Sequence, residues 1–205
     1  MTEQYPTQAL ILAGGVSSRM GQDKAALPDE HGRPLLARTA MLATQISERV
    51  MVSVADDNSA DELRRHWPLI ADDPRGKGPL AGILAALRSA ADTQWLVLAC
   101  DLPMLDIVTL EQLLAIAAQH ADAPAVAMRS EHDQLPEPMC AIWRPAMQPR
   151  ILDAFAAQRY CARKCLIMAN AILVDPVTPG ALENMNTPQD RERLLGGAQP
   201  QRASL

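Results

Sequence analysis

The residues best equipped for chemistry open the chain. An apolar run, Ala9 to Ala13, stops at the paired glycines Gly14 and Gly15 and gives way to Ser17, Ser18, Arg19 and Lys24. Glycines let backbone N–H groups come close to a ligand, hydroxyls donate hydrogen bonds, and two cations balance anionic oxygens. That is the inventory a triphosphate requires of a loop following a buried strand. The loop fits neither common phosphate fingerprint. It has no Gly-x-Gly-x-x-Gly, and Gly21 is not followed by the Lys-Ser/Thr pair of a P-loop. Two further apolar runs end on acids: Pro68 to Ala71 at Asp72 and Asp73, and Trp95 to Cys100 at Asp101-Leu102-Pro103. Taken singly, each has an ordinary structural reading. The glycines make a tight turn, Asp101 a helix N-cap, Asp72 a turn acid and Lys24 a solvated side chain.

Bringing these residues together falls to the elements between them. Leu35, Leu36, Thr39, Leu42 and Ile46 predict a helix from Pro34 to about Ile46, and Arg49 to Val54 reads as a β-branched strand. The charged stretch Asp56 to Arg65 is short and helical, and Pro68 to Ala71 is a brief strand. After the glycine-rich turn Pro74 to Pro79, the stripe Leu80, Ile83, Leu84 and Leu87 marks a helix, and Trp95 to Cys100 a central strand. Helix at Thr109 to Gln119, strand at Pro124 to Met128, polar loop at Ser130 to Pro136, strand at Met139 to Trp143 and helix at Pro145 to Ala157 follow. Tyr160 to Met168 fits no single element; Ala171 to Val174 is a short strand, and Thr187 can cap a last helix with Pro188 in its first turn. The alternation predicts one α/β domain over residues 1–195, a Rossmann-like three-layer α/β/α sandwich on a mostly parallel sheet, with a flexible tail at 196–205. Ligands of such sheets bind beyond the carboxyl ends of the strands, where the opening loop, Asp72 and Asp101 converge.

Composition narrows the partners. The 205 residues are 48% hydrophobic and 21% charged, an ordinary globular balance. A net charge of −5 and an aromatic fraction of 3% argue against a nucleic-acid footprint, so small molecules are the expected ligands. No run approaches a membrane span and the first residues lack a signal-peptide pattern, which predicts a cytoplasmic protein. Cys100, Cys140, Cys161 and Cys165 have neither metal-site nor disulfide spacing and read as reduced, mostly buried thiols. His31, His66, His120 and His132 read as surface residues.

The segment Leu12-Ala13-Gly14-Gly15-x-Ser17-Ser18-Arg19-Met20-Gly21-x-Asp23-Lys24 resembles the signature loop of nucleotidyltransferases with a GT-A-like, nucleotide-diphospho-sugar transferase-like fold, most closely the molybdenum cofactor guanylyltransferases. The resemblance continues through Gly78-Pro79-Leu80-Ala81-Gly82, Cys100-Asp101-Leu102-Pro103 and Asn184-x-Asn186-Thr187-Pro188, spanning about residues 8 to 195. It implies transfer of GMP from GTP to the phosphate of molybdopterin, with Mg²⁺ as cofactor and pyrophosphate released. By similarity, Leu12, Ala13, Gly14 and Gly15 hold the nucleotide, Arg19 and Lys24 neutralise its phosphates, and Asp72 contacts it. Asp101 binds the metal, and Asn184 with Asn186 lies near the acceptor. A hard Mg²⁺ prefers one or two carboxylates plus phosphate oxygens and water, which suits an isolated Asp101. The resemblance also implies transient contacts with other proteins of the cofactor's biosynthesis.

The chain departs from that family at three places. Ser53 stands where a nucleotide-contacting asparagine is expected, Leu135 to Met139 replaces a His-Pro type acceptor loop and carries Glu137, and Tyr160 to Lys164 diverges. Arg159, Arg163 and Lys164 read either as contacts to the acceptor's phosphate or as a solvated basic face. Rival readings are a molybdopterin cytidylyltransferase or another small-molecule nucleotidyltransferase of the same fold, and a nucleotide-binding regulatory module without turnover.

Overall fold

The computed structural model describes residues 5–13, 23–55 and 61–196. Its strands are β1 (Thr7–Leu12), β2 (Val50–Val54), β3 (Leu69–Ala71), β4 (Gln94–Ala99), β5 (Ala125–Arg129), β6 (Pro136–Trp143) and β7 (Ile172–Val174). Its helices are α1 (Leu35–Ala43), α2 (Glu62–Arg65), α3 (Pro79–Ser89), α4 (Ile107–Gln119), α5 (Met147–Ala156), α6 (Ala162–Met168) and α7 (Pro188–Leu195), with a 3-10 turn at Lys24–Ala26.

One seven-stranded sheet runs in the order β3-β2-β1-β4-β6-β5-β7. Alternate residues of each strand point to opposite faces, and both faces are apolar. Ala9 and Ile11 of β1 and Leu96 and Leu98 of β4 pack with Leu36 and Ala40 of α1 and Leu110 and Leu113 of α4. Leu10, Trp95 and Val97 pack the other way, against Leu80, Ile83 and Leu87 of α3 and Met147 and Ile151 of α5. Helices on both faces give the three layers, and each fully buried Leu or Ile contributes roughly 1.5–3 kcal/mol.

All strand pairs are parallel except those of β6, which runs antiparallel to both β4 and β5. The beginning of β6 therefore shares an edge with the carboxyl ends of β1, β2, β3 and β4. A register shift between Ala127 and Met128 accompanies this reversal and sets Glu137 opposite Met128. Pro136 and Pro138 flank Glu137 and have no N–H to give the ladder, which is why pairing is irregular there. The polar loop expected to extend to Pro136 thus gives way to strand at that residue, three positions earlier than the apolar run at Met139 predicts.

Other differences are local. Pro34 is the N-cap residue of α1 instead of its first turn. Of the helix expected from Asp56, residues 56–60 lie outside the described residues and Glu62–Arg65 is helical. Tyr160 to Met168 resolves into α6, buried through Ala162, Cys165 and Leu166. Thr187 caps α7 in a reciprocal capping box with Asp190. The expected tail lies, from residue 197 on, outside the described residues. Among the described residues no helix is long and apolar enough to cross a membrane.

Candidate active site

At the centre of the carboxyl edge, Lys24 donates from Nζ to Asp101 Oδ2 (2.8 Å) and to Asn186 Oδ1 (2.5 Å). Three separate parts of the chain supply these groups. Lys24 begins the 3-10 turn that Asp23 caps, accepting from the Ala25 N–H. Asp101 follows β4, and its backbone carbonyl accepts from the Met185 N–H (2.9 Å), which ties the segment carrying Asn186 to the sheet. Met185 itself is fully buried with Leu27 and Leu35, anchoring that segment by its apolar side chain while Asn186 stays exposed. Asp101 is not a helix N-cap; that task belongs to Asp106, which accepts from the Thr109 N–H (2.8 Å). The neighbouring Cys100 thiol is buried, and burial and the Asp101 charge push it up to about 12.

A second cluster forms at the ends of β2 and β3. Ser53, 3% exposed, donates its hydroxyl to Asp72 Oδ1 (2.6 Å). Burial raises the Asp72 carboxyl above its ordinary range despite that bond. Helix α3 approaches so closely here that a Cβ on Gly82 would lie 2.4 Å from Ser53 Oγ and 3.1 Å from the Leu12 side chain. Glycine is therefore required by contact, within a helix where it otherwise costs stability. Gly78, at the N-cap of the same helix, has φ of 68°, a left-handed conformation that favours glycine for a different reason.

A third cluster lies under the ends of the opening loop. Arg64 of α2, 8% exposed, reaches both the Ala13 carbonyl and the Asp23 carboxylate. Nothing in the local sequence separates Arg64 from its neighbour Arg65, which is exposed; only the tertiary position of α2 does so.

Beside the central group, the start of β6 borders a groove of about 560 Å³, whose lining includes Glu131, Asp133, Glu137, Arg163, Asn184 and Arg193. Glu137 is 7% exposed; its carboxylate accepts from the Met139 N–H and from Arg163 (both 3.2 Å). Burial nonetheless pushes its carboxyl above the ordinary range. Arg163 also pairs with Asp133 (2.6 Å), so this cation of the divergent segment is held by acids and does not form part of a merely solvated face. Lys77 of the second glycine turn stacks over the Tyr160 ring at 4.5 Å.

The structure thus joins Lys24, Asp101 and Asn186 in one hydrogen-bonded group and Ser53 with Asp72 in another, with Leu12 beside the second. Asn184 lines the groove, and Ala13 is engaged through its carbonyl by Arg64. Gly14, Gly15 and Arg19 lie outside the described residues. The four histidines are exposed, and three of the four cysteines are buried, Cys161 being the exposed one.

Among the described residues, no three His, Cys, Asp or Glu side chains converge as a metal cage. Asp101, a half-buried lone carboxylate at the carboxyl edge of the sheet, is the kind of donor a Mg²⁺ takes together with phosphate oxygens and water.

The chain matches the MobA-like NTP transferase domain over residues 9–171. It is 38% identical over 191 residues to the molybdenum cofactor guanylyltransferase of Rhodobacter capsulatus, covering 90% of this chain and 92% of that protein. It is 31% identical over 187 residues to a molybdenum cofactor biosynthesis bifunctional protein of Synechocystis; the match takes in 91% of this chain but spans only 53% of that relative's length. The crystal structure of molybdopterin-guanine dinucleotide biosynthesis protein A from Archaeoglobus fulgidus shares the fold, with a TM-score of 0.77 at 23% identity, covering 92% of this chain and 97% of that one. The sheet architecture and these matches make the chain an α/β nucleotidyltransferase of GT-A-like fold. Within that class, the chain belongs to the MobA-like NTP transferase family.

Proposed function

We propose that this protein transfers GMP from GTP to the terminal phosphate of molybdopterin, or of its metal-loaded form, and releases pyrophosphate. The observation that carries the reading is the convergence of Lys24, Asp101 and Asn186 at the carboxyl edge. The names of the family's curated members, molybdenum cofactor guanylyltransferases, supply the donor and acceptor.

An oxygen of the acceptor phosphate attacks the α-phosphorus of GTP in line. The new P–O bond forms as the bond from the α-phosphorus to the bridging oxygen of the β-phosphate breaks, and the electron pair leaves with pyrophosphate. No protein nucleophile is required, so the protein's contribution is positioning and charge. Asp101 would hold a Mg²⁺, which when bound would supply charge neutralisation to the phosphates. Lys24 carries three N–H donors, two of which are used by Asp101 and Asn186 among the described residues. On this reading its third meets a phosphate oxygen, and Arg19 adds a second cation.

The backbone of Leu12, Ala13, Gly14 and Gly15 holds the nucleotide, with Asp72, oriented by Ser53, on the nucleoside side. Asn184 and Asn186 face the acceptor. The reaction is carried by residues 1–195 and takes place in the cytoplasm, with handover contacts to other enzymes of the same biosynthesis.

The test is pyrophosphate release with molybdopterin, Mg²⁺ and GTP, CTP, ATP or UTP in turn. Release with GTP supports the reading, release with CTP alone makes the protein a cytidylyltransferase, and no release with any NTP leaves a binding module.

A further inference from the structure

Arg64 has five N–H groups, and every one is used. Nε donates to the Ala13 carbonyl (3.1 Å), and Nη2 donates to the same carbonyl (2.5 Å) and to Asp23 Oδ1 (2.9 Å). Nη1 donates to Asp23 Oδ2 (2.7 Å) and to Asp61 Oδ2 (2.7 Å). With no donor left over, this guanidinium does not bind a phosphate in the observed arrangement. It is itself held: Asp61 caps α2 by accepting from the Arg64 backbone N–H (2.9 Å) and takes the side chain as well.

The two groups it joins matter by their place in the chain. Ala13 ends the strand side of the nucleotide loop, and Asp23 is its last residue before Lys24. The Asp23 carboxylate has two duties, since Oδ1 also accepts from the Ala25 N–H and so caps the turn that carries Lys24. A two-pronged arginine–carboxylate pair fixes the plane of that carboxylate as well as its distance. A lysine in place of the arginine keeps the charge and loses the fork.

We infer that Arg64 is a positioning residue of the transfer site: it clasps Ala13 to Asp23 and, through the Asp23 cap, sets where Lys24 stands relative to Asp101 and Asn186. The inference rests on the functional reading above for what Lys24 does, but not for where it stands.

The test separates position from stability and from function. The chain has three lysines, Lys24, Lys77 and Lys164, so ¹³C-labelled lysine gives three side-chain Cε signals, and loss of one in Lys24→Ala assigns it. Arg64→Lys adds a fourth signal of its own, and Lys24 in that variant is identified by the signal lost in Arg64→Lys/Lys24→Ala; the Lys24 signal should move from its unmutated position while those of Lys77 and Lys164 stay, with the fold intact by circular dichroism. An unmoved Lys24 signal in a folded variant overturns the proposal. Should Arg64→Lys not fold, Asp23→Asn, which keeps the side chain's size, takes its place with the same expectation.

In the pyrophosphate assay, Arg64→Lys should lower kcat/KM by about 10²-fold, the scale of an ångström-sized misplacement. In a Lys24→Ala background the same substitution should cost little more, because both act through one ammonium. Losses that multiply overturn the proposal and leave Arg64 a general stabiliser. Absence of turnover in the unmutated protein overturns the functional reading instead, and the lysine signals still decide the role of Arg64.

Discussion

Arg64 with Asp23 and Arg163 with Glu137 are both arginine–carboxylate pairs at the carboxyl edge of the sheet, one at the ends of the opening loop and one on the groove side. Their carboxyls move in opposite directions. Burial would raise Asp23, but the Arg64 hydrogen bonds and charge outweigh it and hold the carboxyl below its ordinary value of 3.8. Glu137 is more deeply buried, and its arginine reaches it through a single 3.2 Å contact while pairing with Asp133 at 2.6 Å. There burial wins, and the carboxyl rises above 4.5. A buried acid is kept ionised by the geometry of its partner more than by the partner's mere presence. At the loop ends every N–H of Arg64 is used, while the groove side keeps an acid that gains from any further donor. On the proposed reading, the N–H groups of a pterin ring are donors of that kind.

The largest effect tests the centre on which both sides converge. Asp101→Ala should lower turnover by about 10³-fold or more, and Lys24→Ala should weaken NTP binding; full activity in either variant, measured by pyrophosphate release and NTP titration, would remove the shared centre. Next, the two arginines should differ in worth. Arg64→Ala leaves the Ala13 carbonyl without its Arg64 donors and the Asp23 carboxylate with only the Ala25 N–H, and should cost about 3 kcal/mol in urea unfolding. Arg163→Ala, whose side chain is 31% exposed, should cost about 1 kcal/mol or less. Equal losses would erase the distinction between the pairs.

A smaller effect probes how tightly α3 packs against the ends of β2 and β3. Gly82→Ala should destabilise by about 1–3 kcal/mol through overpacking against Ser53, and a Ser53→Ala/Gly82→Ala double variant should recover part of that loss. Additive losses would show that the contact with Ser53 is not the cause.

The smallest effect is a pH dependence of opposite sign at the two acids. For Asp23, held low, the stabilising contribution is present above pH 3.8 and is lost as pH falls through its native value. For Glu137, held high, the contribution is present below pH 4.5 and is lost as pH rises through its native value. Glu137→Gln should therefore lose less stability than the unmutated protein as pH rises above 4.5, and Asp23→Asn should lose less as pH falls below 3.8. Urea midpoints over that range check both slopes; slopes of the same sign would collapse the comparison.

Local pattern carried much of the architecture. The strand from Trp95 to Ala99 and the helix on Leu80, Ile83, Leu84 and Leu87 were legible because burial on both faces or on one stripe imposes apolar runs and helical spacing that neighbouring residues report. Lys24 and Asp101 could be placed at one sheet edge because parallel alternation puts every strand's carboxyl end there. Harder to read were Tyr160 to Met168, where only Ala162, Cys165 and Leu166 mark a short buried stripe, and Ser53, whose hydroxyl is taken by Asp72 from 19 residues away.

By itself, then, the sequence determined the alternation of elements and the acids that follow its strands, since each depends on neighbours along the chain. Tertiary structure decided that β6 runs against the other strands and brings Glu137 to the working edge. It also decided that Arg64 and not Arg65 turns inward, and that Asn186 meets Lys24 across 162 positions. The physical reason is common to all three. A hydrogen bond between groups dozens of residues apart leaves no periodicity behind, and its partners are chosen only when the sheet order sets them side by side.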